Sequence, residues 1–573
     1  MPLIAAAAYK PDVADYEGSS TKNILNVTPQ GDGYGPFPSF AKYTQALGAT
    51  CRGAFYALNT DGSVVTFAAT STKLYKQNNT TLAFTDVSLG GGTYSALAIG
   101  AQWQFAQTGT LVFATQANAV LQVFDLSSST AFANGAGSPP QAAYITVIGG
   151  FLVLSGLLSQ PYRIFWSGLE SFNASASWTP GTNSCDFQDF PDGGIVRGVG
   201  GGDQSGVVFQ DQAIRAMAYV PGSPLIFQIE KIADGIGLLA PYSIIRRGAT
   251  LYFYATQGFY SVTGTTLTPI GAEKVNRFTS RDLDNTNLQL FMGTADPQSA
   301  RIYWAYKSVN GTAGQYDKLL GYDPLLERFF PISVSGEFLL GISQSGITLE
   351  SLDPVAPTPL TITGAANNGS GKVRLTLLAE SNANFAIAGQ NSITVYGVTG
   401  TTEANGTFPI SQVTIVNSTH IDLTGVAFVN AYVSGGQIGG SVDALTLSLD
   451  DYPTSFEPQL GQFDTTASLG FFSGSNLEAT IDSAEQGAGD QRLTVRGFRP
   501  ISDAPSIFGR IVYRDTQQAA ATVGTEIAIS SRTGRIDMMR DARYVRFRNR
   551  IPAGTTWTFF AGVEPDASAG STL

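Results

Sequence analysis

Residues Thr250–Gly264 read TLYFYATQGFYSVTG. Leu251, Phe253 and Ala255 alternate with Tyr252 and Tyr254, Gln257-Gly258 interrupts the run, and Phe259–Val262 resumes it. Aromatic and β-branched residues at a period of two around a glycine are the signal of a strand, a turn and a second strand. The same pattern recurs along the chain. Val64–Thr70 reads VVTFAAT, Thr110–Gln116 reads TLVFATQ, and looser copies are FLVLSG (Phe151–Gly156), VVFQ (Val207–Gln210), RIYW (Arg301–Trp304) and GITL (Gly346–Leu349). RIFW at Arg163–Trp166 echoes RIYW. With Phe67, Phe113, Leu154, Phe209, Phe253, Tyr303 and Ile347 as markers, the steps are 46, 41, 55, 44, 50 and 44 residues. A repeat of that length built only of short strands predicts β-propeller blades, six or seven of them with seven favoured. The alternative is a set of unrelated hairpins in a large all-β protein.

Working outward, the chain divides by character. Residues 1–50 are rich in Pro, Gly and Asn and predict an extended N-terminal arm. Residues 51–353 carry the repeats, with LIFQI (Leu225–Ile229) and ERFFPI (Glu327–Ile332) as outer strands of their blades. One short helix is expected within 274–292. Pro354–Pro359 (PVAPTP) is a linker, and 354–441 predicts a small β-barrel-like domain inserted in a propeller loop. Residues 442–464 return to the propeller. Longer strands in 465–573 predict a C-terminal β-rich domain of sandwich type.

Composition narrows the function classes. Of 573 residues only 13% are charged, 64 are Gly, and the net charge is −11. An acidic chain poor in Lys is not a generic nucleic-acid binder. No apolar run reaches the roughly 18 residues of a membrane helix. The start, MPLIAAAAYK, lacks the basic region of a signal peptide. The two cysteines, Cys51 and Cys185, are too few for a disulfide scaffold, with a single bridge between them left open.

The chemistry-bearing residues are sparse. The one histidine, His420, lies in THIDL (Thr419–Leu423), where Ile421 and Leu423 point inward and His420 and Asp422 outward. One His and two distant Cys do not make a Ser–His–Asp triad or a His/Cys zinc site. Asp186, Asp189 and Asp192, or Asp282 and Asp284, are the acid pairs a propeller glycosidase would need, but such clusters more often cap turns. NTDGSVVTF (Asn59–Phe67) is a hairpin turn rather than a sialidase Asp-box, and GVGGG (Gly198–Gly202) lacks phosphate-loop spacing. Calcium at Asp323 or Asp450-Asp451 is weakly signalled. The expectation is therefore no catalytic residue, no metal and no cofactor.

One charge feature rises above this background. Arg492–Arg550 holds twelve Arg and no Lys against five Asp/Glu, a surplus of +7 that leaves about −18 on the remainder. In YVRFRNRI (Tyr544–Ile551), Arg546, Arg548 and Arg550 share one strand face and Val545, Phe547 and Ile551 the other. Guanidinium forks on one face suit bidentate pairing with carboxylates or phosphates. Arg543, Arg546, Arg548 and Arg550 are accordingly candidate contacts to acidic groups of a neighbouring subunit or an adjoining protein; a solvated sheet face, or arginines turned to a lumen to grip nucleic-acid phosphates, are the alternatives.

The opening NVTP with DGYGPFPSF, then WSG (Trp166–Gly168), PDGGIVRGVGGGDQSGVVFQDQAI (Pro191–Ile214), GFYSVTG and PIGAEKVNRF (Pro269–Phe278), resembles tail nozzle proteins of short-tailed bacteriophages. These are also known as tail hub or packaged-DNA stabilisation proteins. ITVYGVTGTTEANGTFPI (Ile393–Ile410) resembles a small phage β-domain of the FCCH-like type named after ubiquitin-activating enzymes, without their chemistry. The resemblance implies a structural virion protein rather than an enzyme. It implies a ring of six at the end of a short tail that extends the DNA channel, retains packaged DNA and conducts it during ejection. Implied partners are adaptor and portal-side proteins, tail fibres or spikes, a needle or plug, and double-stranded DNA passing without sequence-specific binding. The implied location is the virion, assembled in the host bacterial cytoplasm. The rival readings are a glycan-binding propeller module and a propeller glycosidase.

Overall fold

The computed structural model describes residues 3–14, 20–79, 82–223, 225–343, 360–378, 392–439 and 457–572. Strands dominate it, with a single α-helix, Asn276–Asp282, among the described residues.

Thr250–Ala255 and Gly258–Thr263 pair in antiparallel register from Thr250↔Thr263 to Ala255↔Gly258. Gly258 takes φ 116°, and a Cβ there would strike the Asn276 side chain. With Ile245–Arg247 inside and Thr266–Pro269 outside, the hairpin becomes a four-stranded blade. Five further four-stranded units repeat this order. Their second strands are Val64–Ala69, Leu111–Thr115, Phe151–Leu157, Ser205–Gln210 and Ile302–Tyr306. The markers Phe67, Phe113, Leu154, Phe209, Phe253 and Tyr303 all sit on second strands and are fully buried.

The seventh blade is built differently. It takes Phe338–Ile342, Gln459–Phe463 and Ser468–Phe471 from late in the chain and Ala41–Ala46 from the start as its outer strand. Its second strand is therefore 459–463. The expected marker Ile347 and the linker 354–359 lie outside the described residues. Innermost strands touch all round the ring, and Phe338–Ile342 meets Ala54–Leu58 to close it. The molecule is a seven-bladed β-propeller.

Period-two alternation explains the packing. Blades bury both faces, so alternate residues of one strand serve two different cores. Leu251, Phe253 and Ala255 join Val207 and Phe209 between blades four and five, while Tyr252 and Tyr254 join Trp304 and Phe291 on the other side. Phe253 meets Phe209 at 4.8 Å between ring centroids, and Tyr254 meets Phe291 at 4.7 Å. Each buried aromatic contributes roughly 1.5–3 kcal/mol through the area it removes from water.

The described residues of this region, 360–378 and 392–439, form a unit with its own core of Ile362, Val373, Leu375, Val395, Ile421 and Leu423. It falls between the first and second strands of blade seven. The C-terminal part is a sandwich of two sheets. One orders Ile536–Ala542, Gln491–Ser502, Phe560–Thr572, Gly33–Pro36 and Val27–Gln30. The other orders Ile24–Leu25, Ala479–Asp482, Tyr544–Ile551, Phe508–Arg514 and Thr522–Val523. Phe498 and Phe547, 5.0 Å apart, join the two sheets.

The described strands of the first 46 residues thus belong to three bodies. Ile4–Ala5 pairs in the sandwich, Ala8–Tyr9 extends blade six beside Phe329, Ile24–Pro36 returns to the sandwich, and Ala41–Ala46 closes blade seven. Asn26 marks the crossing. Its N–H donates to the Pro331 carbonyl, its Oδ1 accepts from the Ser333 N–H at 2.8 Å, and its Nδ2 donates to the Glu478 carbonyl at 2.9 Å. Its φ of 58° is one that Asn tolerates better than most residues.

Candidate functional site

The strand Tyr544–Ile551 lies inside its sheet, between Ala479–Asp482 and Phe508–Arg514. Val545, Phe547 and Ile551 face the sandwich core. The arginines face the other way, and the same chain answers their charge. Arg548 Nε and Nη2 donate to the two oxygens of Asp482 at 2.6 and 2.7 Å. Asp482 is fully buried; burial pushes its carboxyl up and the Arg548 fork opposes the shift. Arg550 donates to Glu526 at 2.7 and 3.1 Å and to Glu478 at 2.9 Å, with its guanidinium over the Phe508 ring. The Arg550 fork holds the Glu526 carboxyl below its ordinary range. Arg543 donates to Asp490 at 3.2 Å, and Arg546 is buried on this strand. Arg514 on the adjacent strand grips Glu485 at 2.6 and 2.9 Å.

These carboxylates change the meaning of the charge asymmetry. Six Asp/Glu and no cation occupy 457–490, immediately before the arginine-rich run. From Glu478 to Asp566 the chain holds twelve Arg and eleven Asp/Glu, so the sandwich is nearly neutral. No second subunit is needed to satisfy Arg548 or Arg550. Of the acid partners, Glu478, Asp482 and Glu485 lie in the acidic run 457–490, which is the sequence signal for them, and Glu526 lies within the arginine-rich stretch itself.

The candidate acid pairs are spent in the same manner. Asp189 takes the fork of Arg163 at 2.6 and 2.7 Å, and that guanidinium lies 3.5 Å from the Phe187 ring centroid. Asp192 accepts from Arg215 and Lys231, Asp282 from Lys318 and the Tyr306 hydroxyl, and Asp284 from Lys307. Lys307 and the Asx turn at Thr286 hold Asp284 far below the usual carboxylate range. Asp186 caps its own strand through the Phe187 N–H. A carboxylate committed to a cation stays ionised, which suits an ion pair and not a general acid.

His420 Nδ1 lies 3.0 Å from Asn417 Oδ1 and 2.9 Å from Thr419 Oγ1, a local turn contact. Its neighbour Asp422, expected to point outward, is largely buried under the fork of Arg374. Cys51 and Cys185 are both buried and free, so no bridge joins them. Asp323 serves Arg301 and the N–H groups of Leu325 and Leu326; Asp450-Asp451 lies outside the described residues. Among the described residues no three His, Cys, Asp or Glu side chains gather as metal ligands. No described helix is long and apolar enough to cross a membrane.

No known family profile matches the chain, and no curated protein matches it. Among solved structures it is similar to the RRP9 WD40 repeats, with 9% identity and a TM-score of 0.32 over 60% of this chain and 92% of that one. It is also similar to Kluyvelomyces marxianus Hsv2, with 9% identity and a TM-score of 0.25 over 50% and 97%. The likeness concerns the propeller fold alone.

Proposed function

We propose that this chain is a structural subunit of a bacteriophage virion, the nozzle or hub ring of a short tail, with a scaffolding role and no catalytic one. The sequence signatures around Asp32–Phe40, Pro191–Ile214 and Pro269–Phe278 suggest it. The structural observation that supports it best is the bracing of the first 46 residues through sandwich, blade six and blade seven. Such a path ties separate bodies into one frame, which suits a part that transmits force. In this reading six copies form a ring, adaptor proteins dock above it and fibres or a plug below. The net charge of −11 keeps the passage from holding the DNA it conducts.

Electron micrographs of the purified protein, with sedimentation velocity on the same sample, test the proposal. Six-fold rings with an open centre are expected. A protein that remains monomeric alone and with the other tail components, or that turns over glycans, overturns it.

A further inference from the structure

The ring of innermost strands encloses an axial cavity of about 250 Å³. Contributions come from six of the seven blades, from Gln104 in blade two to Phe338 in blade seven. Its walls mix polar and apolar groups: Ile244, Leu251, Met292 and Phe338 supply apolar surface, Gln104, Tyr144, Thr146 and Tyr242 polar surface, and glycines line blade four's side. Those glycines serve packing: a Cβ at Gly200 or Gly201 would press on Ile244, Leu251 or Ile148.

The polar groups of the cavity are incompletely used. The Tyr144 hydroxyl, the Gln104 amide and the Thr146 hydroxyl line it and have no hydrogen-bond partner among the described residues. Tyr242 Oη accepts the Gln102 N–H at 2.8 Å and keeps its own proton to give. The Tyr144 and Tyr242 rings stand 5.9 Å apart at 59°, two walls of one corner. Among the described residues Arg246 is the one charged group lining the cavity, and no carboxylate lines it. Among the described residues its one acid neighbour is Asp203, 3.4 Å away and almost wholly exposed, a pairing of about 0–1 kcal/mol that a better-placed anion displaces; its Nε donates to the Gly248 carbonyl at 3.2 Å, and its Nη groups remain for that anion.

We propose that the axial cavity binds a small organic anion, a hydroxylated body with one carboxylate or phosphate. Arg246 takes the anionic group by its fork. Tyr144, Tyr242, Gln104 and Thr146 exchange hydrogen bonds with hydroxyls, and Leu251, Met292 and Phe338 pack against the ligand's apolar faces. The cavity falls below the roughly 300 Å³ at which sites for drug-sized ligands begin, so the ligand is of monosaccharide size. None of this depends on assembly into a ring.

Titration calorimetry of the full chain with glucuronate, inorganic phosphate and neutral glucose decides the matter. Saturable binding of glucuronate or phosphate is expected with a dissociation constant of about 1 mM or tighter, and glucose about tenfold weaker or worse. The tighter of the two anions identifies the source of the charge. Arg246→Gln should weaken the anion by about tenfold or more, and Tyr144→Phe by a smaller factor, with melting temperatures unchanged. The proposal fails if neither anion saturates by about 10 mM, or if binding survives Arg246→Gln intact.

Discussion

Propeller and sandwich are both all-β and share one continuous core, yet they are assembled by opposite rules. In six of the seven blades every strand pairs with its neighbour in sequence across a turn, and faces meet through aromatics such as Phe209, Phe253 and Trp304. In the sandwich the pairings reach across the chain, Ile4 with Val563, Ile24 with Ile481 and Tyr34 with Phe560. Its inner face is apolar, and the outer face of its second sheet is a lattice of arginines and carboxylates. Blade seven stands between the two, since three of its strands follow one another in sequence and the fourth, Ala41–Ala46, comes from the start of the chain. Local pairing repeats a pattern and is stable in modules. Distant pairing has no repeat and depends on both ends being present.

The largest expected break comes from removing residues 1–36. This deletes strands from both sandwich sheets and from blade six while leaving Ala41–Ala46 to close blade seven. The sandwich should lose its cooperative unfolding transition in calorimetry and become sensitive to protease, whereas the propeller keeps a transition of its own. If both survive, the sandwich is self-sufficient and the contrast is wrong. Next, Phe253→Ala opens a cavity between blades four and five and should cost about 3–5 kcal/mol in denaturant unfolding. In the sandwich, Arg548→Met leaves Asp482 buried and unpaired at a cost of about 3 kcal/mol, and adding Asp482→Leu should recover most of it. A double variant no better than the single would mean that the ion pair is not what holds those strands.

A smaller effect is expected where blade seven meets blade one. Glu337 is buried, and its Oε2 accepts the Cys51 N–H at 2.8 Å. Burial first, and Asp464 in addition, raise its carboxyl above the ordinary value, with the Cys51 contact opposing. A raised folded-state value means that the carboxyl favours folding while protonated. That contribution is full below the unfolded value, near 4.5, and is lost as pH rises through the folded one. Glu337→Gln should therefore flatten the melting curve against pH and gain a few degrees in mildly alkaline buffer, with no gain in acid. A variant that tracks the wild type at every pH would show that Glu337 does not titrate with folding. Smallest of all, replacing 344–456 by a short Gly/Ser linker should shift the propeller's melting by less than about 3 °C, because 360–439 has a core of its own. Collapse of the propeller would show that the insertion is structural to blade seven.

The sequence determined on its own that the chain is all-β and blade-built. Six markers read from a period of two and a step near 45 residues all lie buried on second strands, because a blade's hydrogen bonds and its hydrophobic faces are set by adjacent residues. The helix in 274–292, the outer strands at 227 and 328, and the pattern of Val545, Phe547 and Ile551 were legible for the same reason. Tertiary structure decided what depends on residues far apart. It decided that Ala41–Ala46 is the last strand of the ring, that Val27–Pro36 belongs to the sandwich, and that 459–463 rather than the region of Ile347 forms blade seven's second strand. It decided that Arg548 and Arg550 meet Asp482 and Glu526, where one-dimensional charge counting had sent them toward a neighbour. Gln104, Tyr144 and Arg246 carry no motif at all. They come together only because closing the ring turns three separate strands toward one axis.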